Sequence, residues 1–447
     1  MSLTARRFID YAVTEENCLN KLDMIEGEDE FIISTYTYPL QSWPWFINPS
    51  AKDTVEKCAT IVPSLLYKAI QLEFGKDHTE FSKFYFFPEV LSHLFLETGI
   101  DTRCLMQRTD ATWTEEGLKI IELNVGSNIG GWQIQWMDAP YRKQKELIPF
   151  FESTPCNTRH IPRGLMRYLI NGVKQKGLAR DRIINVLFVC VDEEIDIRTR
   201  NTLSEFFNLE LEGSGYNGFL NFTMDYEELT FKDDEVFFDN KRIDVVLSID
   251  ITGLESPTEL YRSCIANKVL WPDNPLDGII GDKRNLALLY KHKDSGVFSQ
   301  MERQIINAYI PWCATIKCQK VDYRGQNYDL KTLLQSQKDQ FVIKTALGGQ
   351  GVDVFVGRSQ TEDEWLEIIE KSFSESGWVV QEFCKSLNFY GQFGQYGIAE
   401  FDVIWGIFGF GDEYAGSWLR MMDISSEHGV INSATGAEEA IVYEVAE

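Results

Sequence analysis

A mixed α/β fold, with α+β character, is predicted for this chain from three patterns. Apolar runs at 184–191 and 244–250 read as buried-type strands, and residues 199–207 between them read as a helix. Strand, helix and strand at that spacing predict a small α/β unit with parallel pairing. Residues 103–124 read differently, as two antiparallel strands joined at Thr114-Glu115-Glu116-Gly117. Between 55 and 74, Val55, Cys58, Val62, Leu65, Leu66, Ala69 and Ile70 recur at three-and-four spacing, the pattern of an amphipathic helix, with a kink expected at Pro63.

The length, 447 residues, predicts two or three domains. A chain that is 44% hydrophobic and 25% charged is an ordinary globular one. The net charge of −25 repels phosphate backbones and argues against nucleic acid as a partner. It suits a cationic or amine-bearing substrate, and equally it serves solubility. The nine cysteines include no CxxC pair, so reduced thiols are expected and zinc is disfavoured. No run of about 18 apolar residues is present, and Arg6 and Arg7 are followed by no apolar stretch. A cytoplasmic protein without membrane contact is the expectation; the oligomeric state is open.

In order along the chain, residues 1–100 are expected to be mainly helical, apart from a β-like stretch at 31–40. Trp43 and Trp45 follow it, as core or interdomain packing or as a substrate platform. Residues 101–180 contain the hairpin, 181–275 the inserted α/β unit, and 276–447 a second part rich in strands. In that last part, Asp282-Lys283 leads into a helix, and 340–344 is a strand ending in Lys344. Residues 352–356 return as its partner, 363–373 is an amphipathic helix, and 378–384 is another strand. Gly213, Gly215 and Gly218 do not open a helix after a strand, so they are read as a loop and not a dinucleotide fingerprint.

The chemistry gathers in two places. Arg108 and Asp110 are two residues apart, as are Glu122 and Asn124, so each pair shares one face of its strand and the hairpin brings all four together. Asp110, Glu122 and Asn124 offer the hard oxygen donors that magnesium takes alongside phosphates and water. Two close carboxylates need a compensating cation, and Arg108 with Mg²⁺ would supply it. Lys344 stands just before Gly348, Gly349, Gln350 and Gly351. A glycine-rich turn between two strands lets backbone N–H groups approach phosphates, and the lysine neutralises one of their oxygens. Taken alone, such a turn is equally an ordinary hairpin.

At these residues the chain resembles circularly permuted ATP-grasp ligases, such as glutathionylspermidine synthetase and eukaryotic glutathione synthetase. Arg-x-Asp followed by Glu-x-Asn matches their metal-binding hairpin, and the continuation through Gly131 is similar to the corresponding glutathione synthetase segment. Lys283 resembles the first nucleotide lysine of the family, and Lys344 with its glycine turn the second. The 378–384 strand resembles the hinge that holds adenine, with Gln381 and Glu382 as contacts. Arg420 and the 429–437 segment resemble the carboxy-terminal arginine and small-residue loop. The metal hairpin precedes the lysines, as in the permuted branch, while the acidic or arginine residue that often follows the second lysine is missing. No cysteine amidase domain is expected at the amino terminus.

The resemblance implies a permuted ATP-grasp fold, with antiparallel sheets covering the nucleotide and a small inserted α/β domain. It also implies an ADP-forming ligase that uses ATP and Mg²⁺ to join a small-molecule acid to an amine, among amino acids, peptides or polyamines, through an acyl phosphate. Arg108 and Arg420 would be catalytic. The alternatives are a kinase using the same nucleotide site, and a nucleotide-binding module without turnover. Of the histidines, His428 lies nearest the 429–437 segment, and a surface or packing role is expected for it.

Overall fold

The hairpin expected at 103–124 forms, and the largest sheet is assembled on it. The computed structural model describes residues 2–14, 38–190, 197–249, 255–346, 348, 353–393, 397–425 and 430–446. Strands Met106–Thr114 and Gly117–Val125 pair antiparallel around the turn, which Gly117 closes at φ +110°. Strand Gly397–Phe410 pairs with the first of them, followed in turn by Glu413–Asp423, Glu438–Val445 and the parallel edge strand Trp45–Ile47. Phe389–Phe393 and Cys156–Asn157 complete this 8-stranded sheet. Residues from the chain's beginning, first third and end therefore lie in one layer.

Helix Pro49–Phe74 covers one face of that sheet. Asn48 caps it, accepting from the Ala51 N–H at 2.9 Å, and Pro49 occupies the first turn, where no backbone donor is lost. Val55, Cys58, Val62, Leu65 and Leu66 are fully buried, as their spacing predicts. The helix continues through Pro63, itself buried, so proline does not end it; packing along the apolar face outweighs the missing hydrogen bond. Trp43 and Trp45 pack in the core, on Phe8 and Phe389 respectively. Most of the β-like stretch at 31–40 lies outside the described residues; within it, Leu40 bridges to Glu439.

A second sheet, of 4 antiparallel strands, is ordered Cys313–Thr315, Trp378–Glu382, Phe341–Thr345 and Val354–Val356. Helix Glu362–Ser374 backs it, its start closed by a reciprocal cap between Thr361 and Glu364. The expected α/β unit is also present. Strands Val245–Ile249, Ile183–Cys190 and Asn217–Thr223 run parallel, with helix Ile197–Ser214 connecting the last two. The loop reading of the three glycines needs correction. Gly213 ends that helix, Gly215 turns the chain at φ +73°, and Gly218 lies in the strand against the Ile184 carbonyl, where a side chain would collide. No helix among the described residues is long and apolar enough to cross a membrane. No described cysteine is paired in a disulfide.

Candidate active site

The hairpin register places Arg108 opposite Asn124 and Asp110 opposite Glu122. A bulge just after Asp110 shifts the pairing, so the tip of the hairpin is one residue out of phase with its base. Strand Gly397–Phe410 sets Gly406 beside Asp110, and Ile404 pairs with Arg420 on the next strand. Arg420 thereby reaches Asp110.

Asp110 is the electrostatic centre of this group. Arg108 grips it in a fork, Nε to Oδ1 at 2.7 Å and NH2 to Oδ2 at 2.9 Å, while Arg420 NH2 donates to Oδ2 at 2.7 Å. Burial alone would raise the carboxyl pKa, but the two guanidiniums overcome it and hold Asp110 at about 2. Arg108 also donates to the Gly130 carbonyl at 2.9 Å. Both guanidiniums lie beside the Trp418 ring, at 5.8 and 5.4 Å from its centroid. The Arg420 Nε is buried without an acceptor, which leaves a donor for an anionic group.

Glu122 and Asn124 sit next to this cluster, with Asn124 Nδ2 at 3.4 Å from Glu122 Oε1. Lys283 stands at the head of helix Arg284–His292, with its ammonium 3.5 Å from Glu122 and donating to the Gly348 carbonyl at 2.6 Å. Its neighbours hold it there. Asp282 and Arg284 form a buried fork, Arg284 lies 4.2 Å from the Phe84 ring centroid, and Asn285 accepts from the Tyr85 hydroxyl at 2.6 Å. Lys344 is buried at the end of its strand and donates to Gln381 Oε1 at 2.8 Å and to the Ile121 carbonyl at 3.3 Å. Burial lowers its pKa, against the pull of the Glu122 carboxylate.

One cavity of about 710 Å³ collects these groups: Arg108, Asp110, Glu122, Asn124, Lys283, Lys344, Gly348, Gln381, Glu382 and Arg420 all line it. Gly349, Gln350, Gly351 and His428 lie outside the described residues. Val342, Val354 and Val356 line the cavity from the smaller sheet, and Ile404 and Met422 line it from the larger one, as two apolar walls. Gln381 is committed to Lys344 and to the Ile120 carbonyl, and Glu382 to Tyr323 and Arg324. Their side chains are thus already engaged, and the Glu382 and Phe383 N–H groups are bonded to the Trp312 and Gln340 carbonyls; Phe383 and Cys384, which follow, also line the cavity.

Several lining residues were not anticipated. Asp402 has one carboxylate oxygen buried without a donor, and Glu439, opposite Arg420 in register, is buried and accepts from Ser433 Oγ at 2.5 Å. Trp418 carries a signal in the sequence, because it stands two residues before Arg420 and so shares its strand face. Asp402 and Glu439 carry none, since nothing local sets them apart from the nearby Glu400 and Glu438.

Whether the residues fit a magnesium ion follows from their present engagements. Glu122 and Asn124 fit: their oxygens face the cavity beside the lysines, and one carboxylate with phosphates and water suffices for a nucleotide-bound Mg²⁺. Asp110 fits poorly, because both its oxygens are taken by guanidiniums. Among the described residues, no group of three or more acidic, histidine or cysteine side chains converges to hold a metal without a ligand's help.

No protein-family model matches the sequence, and no curated protein is significantly similar to it. Among solved structures, the chain is similar to a glutathione synthetase-like effector from Globodera pallida in its apo form. The TM-score is 0.58 at 12% identity, over 99% of this chain and 96% of that one. A D-alanyl-alanine synthetase A from Vibrio cholerae aligns over 51% of this chain and 68% of that one at 14% identity, with a TM-score of 0.26 that adds nothing to the assignment. At these identities it is the fold that is shared: a mixed α/β fold, nearly end to end that of the glutathione synthetase-like effector and consistent with the ATP-grasp architecture.

Proposed function

We propose that the protein is an ATP-dependent carboxylate–amine ligase of the permuted ATP-grasp type. The observation that carries this reading is the single cavity in which two lysines, two arginines, Glu122 and Asn124 meet from stretches far apart in the chain. The chain order supports permutation, because the hairpin precedes both lysines. In this reading the α/β unit of 181–275 is the inserted domain.

ATP would lie with its base between the valine wall and Ile404 and Met422, and with its phosphates toward Lys283 and Lys344. Glu122 and Asn124 would hold Mg²⁺, which when bound neutralises phosphate charge and polarises the transferring group. The acid's carboxylate oxygen attacks the γ-phosphorus, ADP leaves, and the amine then attacks the acyl carbon and displaces phosphate. Arg420, with Nε unoccupied and a planar fork, would hold the acyl phosphate, and Arg108 would stiffen it through Asp110. Alignment of amine and acyl phosphate contributes on the order of 7–11 kcal/mol in favourable cases.

The test is an ADP-release screen of the full chain with amino acids, dipeptides and polyamines, alone and in pairs, with mass analysis of products. Release that requires both an acid and an amine, with an amide product, supports the ligase. Release with one substrate and a stable phosphorylated product would make it a kinase. Tight ATP binding without any release would reduce the site to a binding module.

A further inference from the structure

One wall of the cavity is built by residues that leave the hairpin, and they are fastened by a side chain that does not line the cavity. After Val125 the chain turns at Gly126 (φ +102°), and Ser127, Asn128, Ile129, Gly130, Gly131 and Gln133 then line the cavity. This wall carries hydroxyl, carboxamide and backbone groups but no charge. It suits the uncharged polar part of an acid substrate, remote from its reacting carboxylate.

Two oxygens of Asp273 fasten that wall to the parallel sheet. The Ser127 N–H donates to Oδ1 at 2.6 Å, and the Ser248 N–H, on strand Val245–Ile249, donates to Oδ2 at 2.8 Å. The Ser127 hydroxyl donates to the Ser248 carbonyl, closing the junction. A Cβ on Gly126 would stand 3.1 Å from Asp273 Oδ1, so the loop approaches as closely as glycine allows. Ser248 is itself fixed, sharing a hydrogen bond with the Tyr226 hydroxyl at 2.6 Å and accepting from Trp271 Nε1 at 3.3 Å. Ile249, at the carboxyl end of the same strand, lines the cavity beside Ser127. Ligands of open parallel sheets bind outside such carboxyl ends.

We infer that Asp273 is a positioning residue: it holds the 126–133 wall against the carboxyl edge of the parallel sheet and so shapes the acid-substrate end of the cleft. A carboxylate fits because the two N–H donors reach different oxygens of it, and an amide in its place would turn an NH₂ against one of them. The inference rests on the ligase reading for the word substrate, but the fastening itself does not.

The experiment compares the full chain with Asp273→Asn, which keeps the volume and turns an NH₂ against one of the two N–H groups. Hydrogen exchange in peptides covering 126–133 is expected to rise about tenfold or more, with the 106–125 hairpin unchanged. ATP affinity should stay within about twofold, while KM for the acid rises about tenfold and kcat moves less. Gly126→Ala attacks the same contact from the loop side and should reproduce the pattern, which keeps the test decisive if Asp273→Asn folds poorly. Unchanged exchange in both variants overturns the inference, as does an ATP affinity that falls in parallel with KM. A wild-type chain that releases no ADP with any acid and amine defeats the ligase reading instead; the exchange measurement still decides the fastening.

Discussion

Arg420 and Asp110 are 310 residues apart in sequence and 2.7 Å apart in space. The contact ties the first strand of the hairpin to the far end of the chain, and it makes Asp110 an organiser of guanidiniums.

Replacing Asp110 by Ala should therefore destabilise the protein by about 3–5 kcal/mol, since two arginines would be left in a buried place without their counter-charge. The acid limb of stability follows from the same pair. The folded pKa of about 2 lies below the ordinary 3.8, so ionised Asp110 stabilises the fold above the ordinary value. That contribution, about 2 kcal/mol, is lost as pH falls toward and through the folded value. Chemical denaturation between neutral pH and the acid limit checks this, and Asp110→Asn should show a shallower decline than wild type.

Glu122→Gln keeps the hairpin's shape and removes the carboxylate best placed for Mg²⁺. Turnover should drop by about two orders of magnitude, or ~2.7 kcal/mol of transition-state stabilisation. The melting temperature should scarcely move. Turnover equal to wild type at saturating Mg²⁺ would remove Glu122 from the mechanism.

Lys344→Ala should weaken ATP binding by roughly 10- to 100-fold, the cost of one hydrogen bond to a charged group. Gln381, on the neighbouring strand, would lose its donor as well, so calorimetry of binding should be paired with a melting curve. An unchanged dissociation constant would make this lysine structural.

Gly131→Ala tests the substrate wall from inside. A Cβ there would stand 2.2 Å from the Trp418 ring, at a backbone φ of +94°. Overpacking of this kind costs about 1–3 kcal/mol and should displace Trp418 from beneath the two guanidiniums. A shifted tryptophan emission with lowered activity is the expected result.

What could be read in advance divides along physical lines. The hairpin was legible because alternation along a strand fixes which side chains share a face, and Arg108, Asp110, Glu122 and Asn124 declare it over 17 residues. Lys344 was legible from local grammar, just before its glycines, whereas Lys283 was read locally only as the entry to a helix and was singled out through the resemblance. The double grip on Asp110 was not, because it depends on which strand neighbours which, and no local pattern places residues 397–423 beside 106–114. Asp273 was invisible for a related reason: its partners are backbone N–H groups, which every residue possesses. The third parallel strand, Asn217–Thr223, was missed because its exposed start and its glycine dilute the apolar signal.

The hydrogen bond from Lys283 to the Gly348 carbonyl has a kinetic corollary. If, as proposed, a triphosphate docks on the Lys283 ammonium, it displaces the Gly348 carbonyl already bonded there. Should that bond open before the nucleotide arrives, the observed on-rate for ATP should level off at high concentration, where simple diffusion would keep climbing.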